Sequence, residues 1–295
     1  MSDRPPRRRA SDLAEVAGLS ARGRGASVFV ARNEGARPCP GGRPATHEHV
    51  VLVFYTGGSA TVEQRGLWQL HAGDAFLIPA GEPHRFRALE RPEAWALGLC
   101  PVCLLADGGG ALLEPFERVR SGAAAAVTIP EGRRPFLESL FRELKRETDE
   151  VASGGLAVQK SLATLIVAEI ARAGAWGQPA GPADLVSDAL RFIERRCLEP
   201  ISLRDVAAAL RRSPAHLTTA VRRATGRSVQ AWIIAGRLSE ARRRLAHTDE
   251  IVEVVAERVG YADVTHFTRV FRRAHGLTPA AWRARERRAL STAAR

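Results

Sequence analysis

The sequence predicts an α and β protein of two domains, an antiparallel β-barrel with following helices and then an all-α double helix-turn-helix. Three observations support this fold class. Short apolar runs separated by turn residues occupy the first third of the chain, as strands do. Apolar stripes at helical spacing follow them. Near the C-terminus, the stretch from Val206 to Trp232 recurs about fifty residues later as the stretch from Val255 to Trp282.

The chain begins with a short basic segment that resembles no targeting signal. Met1 to Ala10 holds two prolines, and no apolar segment follows it, which excludes a secretory signal or a membrane helix there. We expect residues 1–20 to form a disordered arm. Four cysteines in 295 residues are too few and too scattered for a disulfide scaffold. These features predict a cytoplasmic protein without membrane association.

A β-rich domain is predicted at residues 21–125. Glycine-containing turns are expected at Gly57-Gly58, Gly66 and Gly73-Asp74, at intervals typical of an antiparallel barrel or sandwich. The expected strands are Val28 to Ala31, Val50 to Tyr55, Ala60 to Gln64, Trp68 to His71, Ala75 to Pro79 and Ala94 to Leu99.

Cys100 and Cys103 are separated by two residues and follow the last predicted strand. Such spacing can support a disulfide, a reactive thiol or a soft metal ligand. Because the pair continues an apolar run between Leu99 and Leu104, we favour plain structural packing; an approach by Cys39 would favour redox or metal sensing instead.

Two amphipathic helices are predicted within residues 130–176, separated at Ser153-Gly154-Gly155. Their apolar stripes are broader than packing on one small barrel requires, which suggests a surface for a partner. Packing on the barrel is the open alternative. Residues 177–182 are expected to form a flexible linker.

Each copy of the C-terminal repeat has the start and stop signals of two helices. In the first copy Ser202 and Asp205 mark one start, Ser213 and Pro214 mark the next, and Gly226 ends it. The second copy repeats this pattern with an Asp263 cap and a Gly276 stop. The sequence therefore predicts helix-turn-helix units at residues 202–226 and 251–276.

The second copy contains a motif that runs from Gly260-Tyr261-Ala262-Asp263 through Phe267-Thr268-Arg269 to Gly276-Leu277-Thr278-Pro279. This motif resembles the signature of the AraC/XylS family of bacterial transcription regulators. The resemblance implies a seven-helix DNA-binding domain over residues 183–290, with a linker helix from about Ser228 to Ala246 between the two units. It also implies that the helices within residues 130–176 pair two chains as a homodimer.

Helical geometry separates a core face from an outward face on the second helix of each unit. Short polar and guanidinium side chains on the outward face suit the donor and acceptor pattern of the major groove. The predicted DNA-binding residues are Ala215, Thr218, Thr219 and Arg222 in the first unit and Thr265, Thr268, Arg269 and Arg272 in the second. His216 and His266, at equivalent flanking positions, are expected to be half-buried structural residues.

Positive charge is concentrated in the C-terminal part. Residues 183–295 contain 22 arginines, no lysine and 12 acidic residues, a net charge of +10 out of +12 for the chain. Such charge attracts phosphates irrespective of sequence and makes affinity fall steeply with salt. Double-stranded DNA is the expected partner.

The β-rich part carries a second resemblance. Gly73, followed by Pro79-Ala80-Gly81 and His84, is similar to the second motif of cupins, and Gly41 followed by His47-Glu48-His49 is similar to the start of the first. The resemblance implies a sensor whose His47, His49 and His84 contact a small-molecule effector; a plain structural role for the three histidines is the open alternative. Metal-binding cupins place a glutamate where this chain has Val53 and Phe54, so we expect no metal and no cofactor.

Together these features predict a non-enzymatic, effector-responsive transcription regulator, with RNA polymerase as a further candidate partner. The alternative is a metal-dependent cupin enzyme fused to a DNA-binding module, which metal analysis of the purified protein distinguishes. Effector, operator and the direction of regulation are not encoded in any motif.

Overall fold

The computed structural model describes residues 27–34, 44–149, 155–174 and 184–293. The expected arm at 1–20, the linker at 177–182, Cys39 and Gly41 lie outside the described residues. Within those four stretches, no helix combines the length and apolarity that crossing a membrane requires.

The N-terminal part is built on one antiparallel sheet. Its strands are β1 (Val28–Glu34), β2 (Val50–Glu63), β3 (Leu67–His71), β4 (Asp74–Ile78), β5 (Arg85–Leu99) and β6 (Ala126–Thr128). Their order is β1-β5-β2-β4-β6, and β3 pairs with the second half of β2. Among the described residues β1 and β6 do not pair, so the prediction of a closed barrel is wrong in this respect. Helices that contact both edge strands cover the opening instead.

The turn predicted at Gly57-Gly58 is also wrong, because β2 continues through both residues. The register of β2 against β5 shifts on either side of Gly57, which marks an irregular, bulged pairing. Gly58 has φ +66°, and a Cβ there would lie 2.2 Å from the carbonyl oxygen of Arg91. Glycine thus permits a bend within one long strand, whereas the sequence pattern resembles two strands and a turn.

Four helices follow the sheet: α1 (Pro101–Ala106), α2 (Glu114–Arg120), α3 (Arg134–Asp149) and α4 (Gly155–Ala173). The predicted stripe of α3 packs on the sheet, and the Phe141 ring stacks on Phe54 and Trp95 at 6.1 and 5.8 Å. On α4, Ile166 and Ile170 are fully buried, but Val158 and Leu165 are 43% and 45% exposed. One part of this stripe therefore packs on the sheet and another faces outward.

Seven helices fill the stretch 184–293, as the family resemblance implies. They are α5 (Leu185–Arg196), α6 (Leu203–Ala209), α7 (Pro214–Thr225), α8 (Val229–His247), α9 (Val252–Arg258), α10 (Val264–His275) and α11 (Pro279–Ala293). The long α8 joins two apolar cores, one around Leu217 and Trp232 and the other around Phe267 and Trp282. Each helix-turn-helix thus has its own core.

Helix α1 of the N-terminal part completes the first of these cores. Cys100 and Cys103 pack there against helices α5 and α8, beside the free and buried Cys197. Cys100 and Cys103 form a disulfide, with Cα atoms 5.3 Å apart, so the expectation of unpaired structural cysteines is wrong. Burial raises the pKa of the Cys197 thiol to about 12. The two halves of the chain consequently share apolar packing.

Candidate functional site

Both outward helices, α7 and α10, begin and end at the predicted signals; we call them the reading helices. Ser213 Oγ accepts a hydrogen bond from the backbone N–H of His216 at 3.3 Å, and Asp263 Oδ1 accepts one from that of Thr265 at 2.7 Å. Gly226 and Gly276 end the helices in left-handed conformation, with φ +73° and +75°. Local sequence therefore fixes the length of each reading helix.

The predicted DNA-binding residues lie together on the outer face of each reading helix, opposite the fully buried Leu217 and Phe267. In this set Thr218 and Thr268 are half-buried, and Thr219 donates its hydroxyl to the carbonyl oxygen of Ala215 at 3.0 Å. The exposed members are Ala215, Thr219 and Arg222 in α7 and Thr265, Arg269 and Arg272 in α10. Along α10 the exposed face borders an open groove of about 820 Å³.

The guanidinium groups of Arg222, Arg269 and Arg272 have no hydrogen-bond or ion-pair partner among the described residues. In contrast, the buried Arg237 donates to the carbonyl oxygens of Cys197 and Glu199, at 2.6 and 2.7 Å. The arginines of the outer faces therefore retain their donors for an external acceptor, such as a base edge or a phosphate.

The expectation that His216 and His266 are half-buried is wrong, since both are exposed. The ring of His266 contacts the edge of Tyr261 at 5.6 Å. Both residues lie in the first turn of a reading helix, where the side chain leans away from the core. Sequence reasoning therefore failed to predict that both histidines belong to the exposed surface.

The three predicted effector histidines lie at one edge of the sheet. We call residues 44–49, which carry two of them, the strap. Ala45 of the strap pairs with His84 through two backbone hydrogen bonds of 2.8 and 3.0 Å, and the ring centroids of His47 and His84 are 4.9 Å apart. His49 instead contacts the ring of Phe29 at 4.9 Å. No group of three or more metal-ligating side chains occurs within the described stretches.

These histidines are held in the neutral form. Burial, followed by the proximity of His84, lowers the pKa of His47 to about 3, and burial together with Arg242 lowers that of His49 to about 4. Burial also lowers the pKa of His84. Nδ1 of His47 and of His84 donates to the carbonyl oxygens of His49 and Glu82, at 2.6 and 3.2 Å. Nε2 of each ring is then an acceptor that suits an uncharged polar ligand.

The strap also contacts the first helix-turn-helix, which the sequence did not predict. Thr46 Oγ1 donates to the carbonyl oxygen of Thr225 at 3.1 Å, and Arg227 donates to Glu48 at 2.8 Å. Burial alone would raise the pKa of Glu48, but Arg227 lowers it below its usual value. Two charged or polar contacts therefore join the histidine-bearing strap to the end of reading helix α7.

Two further ion clusters join the halves. Arg65 binds both Glu82 and Ser187. The buried Arg120 of α2 forms a bidentate salt bridge with Glu194 of α5, at 2.8 Å to each carboxylate oxygen. Arg65 and Ser187 are 122 residues apart, and Arg120 and Glu194 are 74 residues apart. No periodicity or motif encodes pairing at such separation, so sequence reasoning could not find them.

Comparison with known proteins agrees with this geometry. Residues 206–285 match a family described as a helix-turn-helix domain, and residues 40–98 match one described as an AraC-like ligand binding domain. The transcriptional activator NphR of a Rhodococcus species is 33% identical over 246 residues, which cover 80% of this chain and 70% of NphR.

Two further proteins match this chain, one over most of its length and the other over about a third of it. YobQ of Bacillus subtilis, an uncharacterized HTH-type transcriptional regulator, is 26% identical over 80% of this chain and 87% of its own length. The DNA-binding domain of AdpA, solved in complex with a target DNA, is 29% identical over 36% of this chain and 96% of that chain, with a TM-score of 0.34. On the match to NphR and the two family matches, the chain belongs to the AraC/XylS family of transcription regulators.

Proposed function

We propose that this regulator binds an uncharged polar effector at His47, His49 and His84 and transmits the event through the strap to reading helix α7. The observation that carries the proposal is the double contact of the strap with Thr225 and Arg227. A ligand that accepts or donates at the histidine rings would move a segment that is bonded to the DNA-binding half. The chain has no catalytic role in this proposal.

We propose further that the outer faces of α7 and α10 enter successive major grooves, about 34 Å apart along the duplex. Arg222 and Arg269 are the strongest candidates for bidentate contacts with guanine, because both guanidinium groups are exposed and unpaired among the described residues. The threonines suit hydroxyl contacts or the thymine methyl group.

The operator is the first quantity to determine, by mapping genomic fragments that the purified full chain retains. Arg222→Ala and Arg269→Ala should then each weaken operator binding by about 1–3 kcal/mol and relax preference at one base position. Arg195→Ala, an exposed arginine of α5 outside both reading helices, is the matched control. A uniform loss over all sequences with a smaller salt slope would assign the residue to a phosphate contact instead.

The route from sensor to DNA has its own test. His84→Ala should alter the effector response of an operator-driven reporter, whereas the DNA binding of the isolated fragment 183–295 should not respond to the effector, because that fragment lacks the histidines. Thr46→Val should reduce the response without changing effector affinity, since it removes only the link to Thr225. An unchanged response in both variants would contradict transmission through the strap.

The remaining assignments are proposals of the same kind. We place the sensor at 21–125, the helical segment at 130–176 and the DNA-binding domain at 183–290, and infer a homodimer that acts on cytoplasmic DNA and can contact RNA polymerase. Outward-facing Val158 and Leu165 of α4 offer the apolar surface for dimerisation.

The fragment 183–295 should be monomeric and bind the operator more weakly than the full chain, because linked modules raise the effective concentration. Equal affinity would argue against dimerisation.

A further inference from the structure

A cleft of about 520 Å³ lies where the strap, the linker helix α8 and the second reading helix α10 meet. Its apolar lining includes Ile234 and Leu238 of α8 and Val270 of α10. This volume is within the range of small-molecule sites, and the combination of apolar lining with a few polar groups is typical of them. The cleft is distinct from the histidine site, because His47, His49 and His84 do not line it.

The polar lining carries more positive than negative charge. Arg227, Arg242 and Arg273 line the cleft together with one carboxylate, that of Glu48. Arg227 already binds this carboxylate at 2.8 Å. Glu48 and, from outside the lining, Glu286 also attract Arg242. The cleft itself nevertheless holds three guanidinium groups for one carboxylate, and an anionic occupant would balance this excess.

Two nitrogen atoms of the lining are buried without a hydrogen-bond partner, Nε of Arg242 and Nε2 of His275. Arg242 donates from its terminal nitrogen to Ser239 at 3.1 Å, which leaves Nε unused. The His275 ring is held between Phe271 and Trp282, with centroids 4.6 and 5.0 Å away. Burial and the nearby Arg242 lower the pKa of His275 to about 4, so the neutral ring can donate from only one nitrogen. Buried polar atoms in folded proteins are normally satisfied, which makes this pair notable.

We propose that this cleft binds a small organic carboxylate, with its anionic group at Arg242 and His275 and its apolar body against Ile234, Leu238 and Val270. The apolar lining favours an organic molecule over a DNA phosphate, because polar and cationic groups alone suffice to bind a phosphate. A bound molecule would touch the strap, α8 and α10 at once. It would thus bias the position of the second reading helix relative to the sensor.

The test uses the full chain and 2-naphthoate as the probe, with titration calorimetry as the readout. The uncharged 2-naphthamide and inorganic phosphate are the comparison ligands. We expect one saturable site for 2-naphthoate and at least tenfold weaker binding of both comparison ligands. Arg242→Gln should weaken 2-naphthoate binding about tenfold or more, whereas Glu48→Gln should strengthen it several-fold by removing a like charge and releasing Arg227. Arg195→Gln, outside the cleft, should change nothing.

Circular dichroism spectra and thermal melting of each variant establish that it is folded. If Arg242→Gln does not fold, Arg273→Gln replaces it, because Arg273 is exposed on α10 and its loss leaves no buried charge. Equal binding of the acid and the amide, or of parent and arginine variants, would overturn the proposal. The proposal would also be overturned if, in the absence of the probe, Arg242→Gln lost as much operator affinity as Arg269→Ala does, because the cleft would then contact DNA. Neither result depends on the histidine site, so failure here leaves the proposed function standing.

Discussion

The buried ion cluster around Arg120 gives the sharpest stability prediction. The Arg120 side chain is 2% exposed and bonds to both oxygens of Glu194 at 2.8 Å, to Glu117 at 2.7 Å and to the carbonyl oxygen of Ala80 at 3.1 Å. Burial alone would lower the pKa of Arg120, but the carboxylates of Glu194 and Glu117 raise it above its usual value. Arg120 is therefore charged at neutral pH.

Arg120→Met should destabilise the protein by about 3 kcal/mol. Breaking one member of a buried pair typically costs about 3–5 kcal/mol, because the remaining charge stays buried without compensation. We expect the lower end, since the side chains of Glu194 and Glu117 are 13% and 24% exposed and water reaches them in part. Arg118→Met on the same helix is the matched control. Its bridge to Glu114 is solvent-exposed, so the loss should stay below about 1 kcal/mol.

Urea unfolding followed by circular dichroism and tryptophan fluorescence measures these losses. A double-mutant cycle with Glu194→Gln then isolates the interaction between the two residues. The double variant should lose roughly 0.5–3 kcal/mol less stability than the two single variants lose together. If Arg120→Met costs no more than Arg118→Met, or if the two losses at Arg120 and Glu194 simply add, this cluster does not hold the halves together.

Three shorter predictions concern the turns and the histidines. Gly260→Ala should lower the free energy of unfolding by about 2–4 kcal/mol, because φ is +84° and the new Cβ would lie 2.7 Å from the carbonyl oxygen of Leu198; a loss of less than about 1 kcal/mol in urea unfolding would contradict this. Arg211→Gly at the equivalent turn should be neutral or stabilising by up to about 1 kcal/mol in the same assay, because Arg211 has φ +52°. Stability should fall as pH drops from about 6.5 towards 4, because unfolding lets His47 and His49 take up protons that the folded state excludes, and His47→Gln should reduce that slope. A slope unchanged by the substitution would mean that other groups cause the loss.

The sequence by itself determined the helical half almost completely. Start and stop signals such as Ser213, Pro214 and Gly226 act within one turn of the helix they bound, so local chemistry sets the reading helices. The predicted linker helix, from about Ser228 to Ala246, agrees with α8 (Val229–His247) because its apolar residues recur at helical spacing. Because the unit is duplicated, the same helix start and stop signals occur twice in the sequence.

Only the tertiary structure decided the shape of the sheet and the contact between halves. Gly57-Gly58 predicts a turn by local rules, yet pairing with β5 carries one strand through it, because cross-strand hydrogen bonds outweigh a local preference. Strap contacts, the cleft and the Arg120 cluster depend on residues far apart in the chain. Their geometry follows from how the sheet and helices pack, which no local pattern records. The candidate DNA-binding surface could thus be predicted from the sequence, whereas the contacts between the N-terminal part and the helical half exist only in the folded chain.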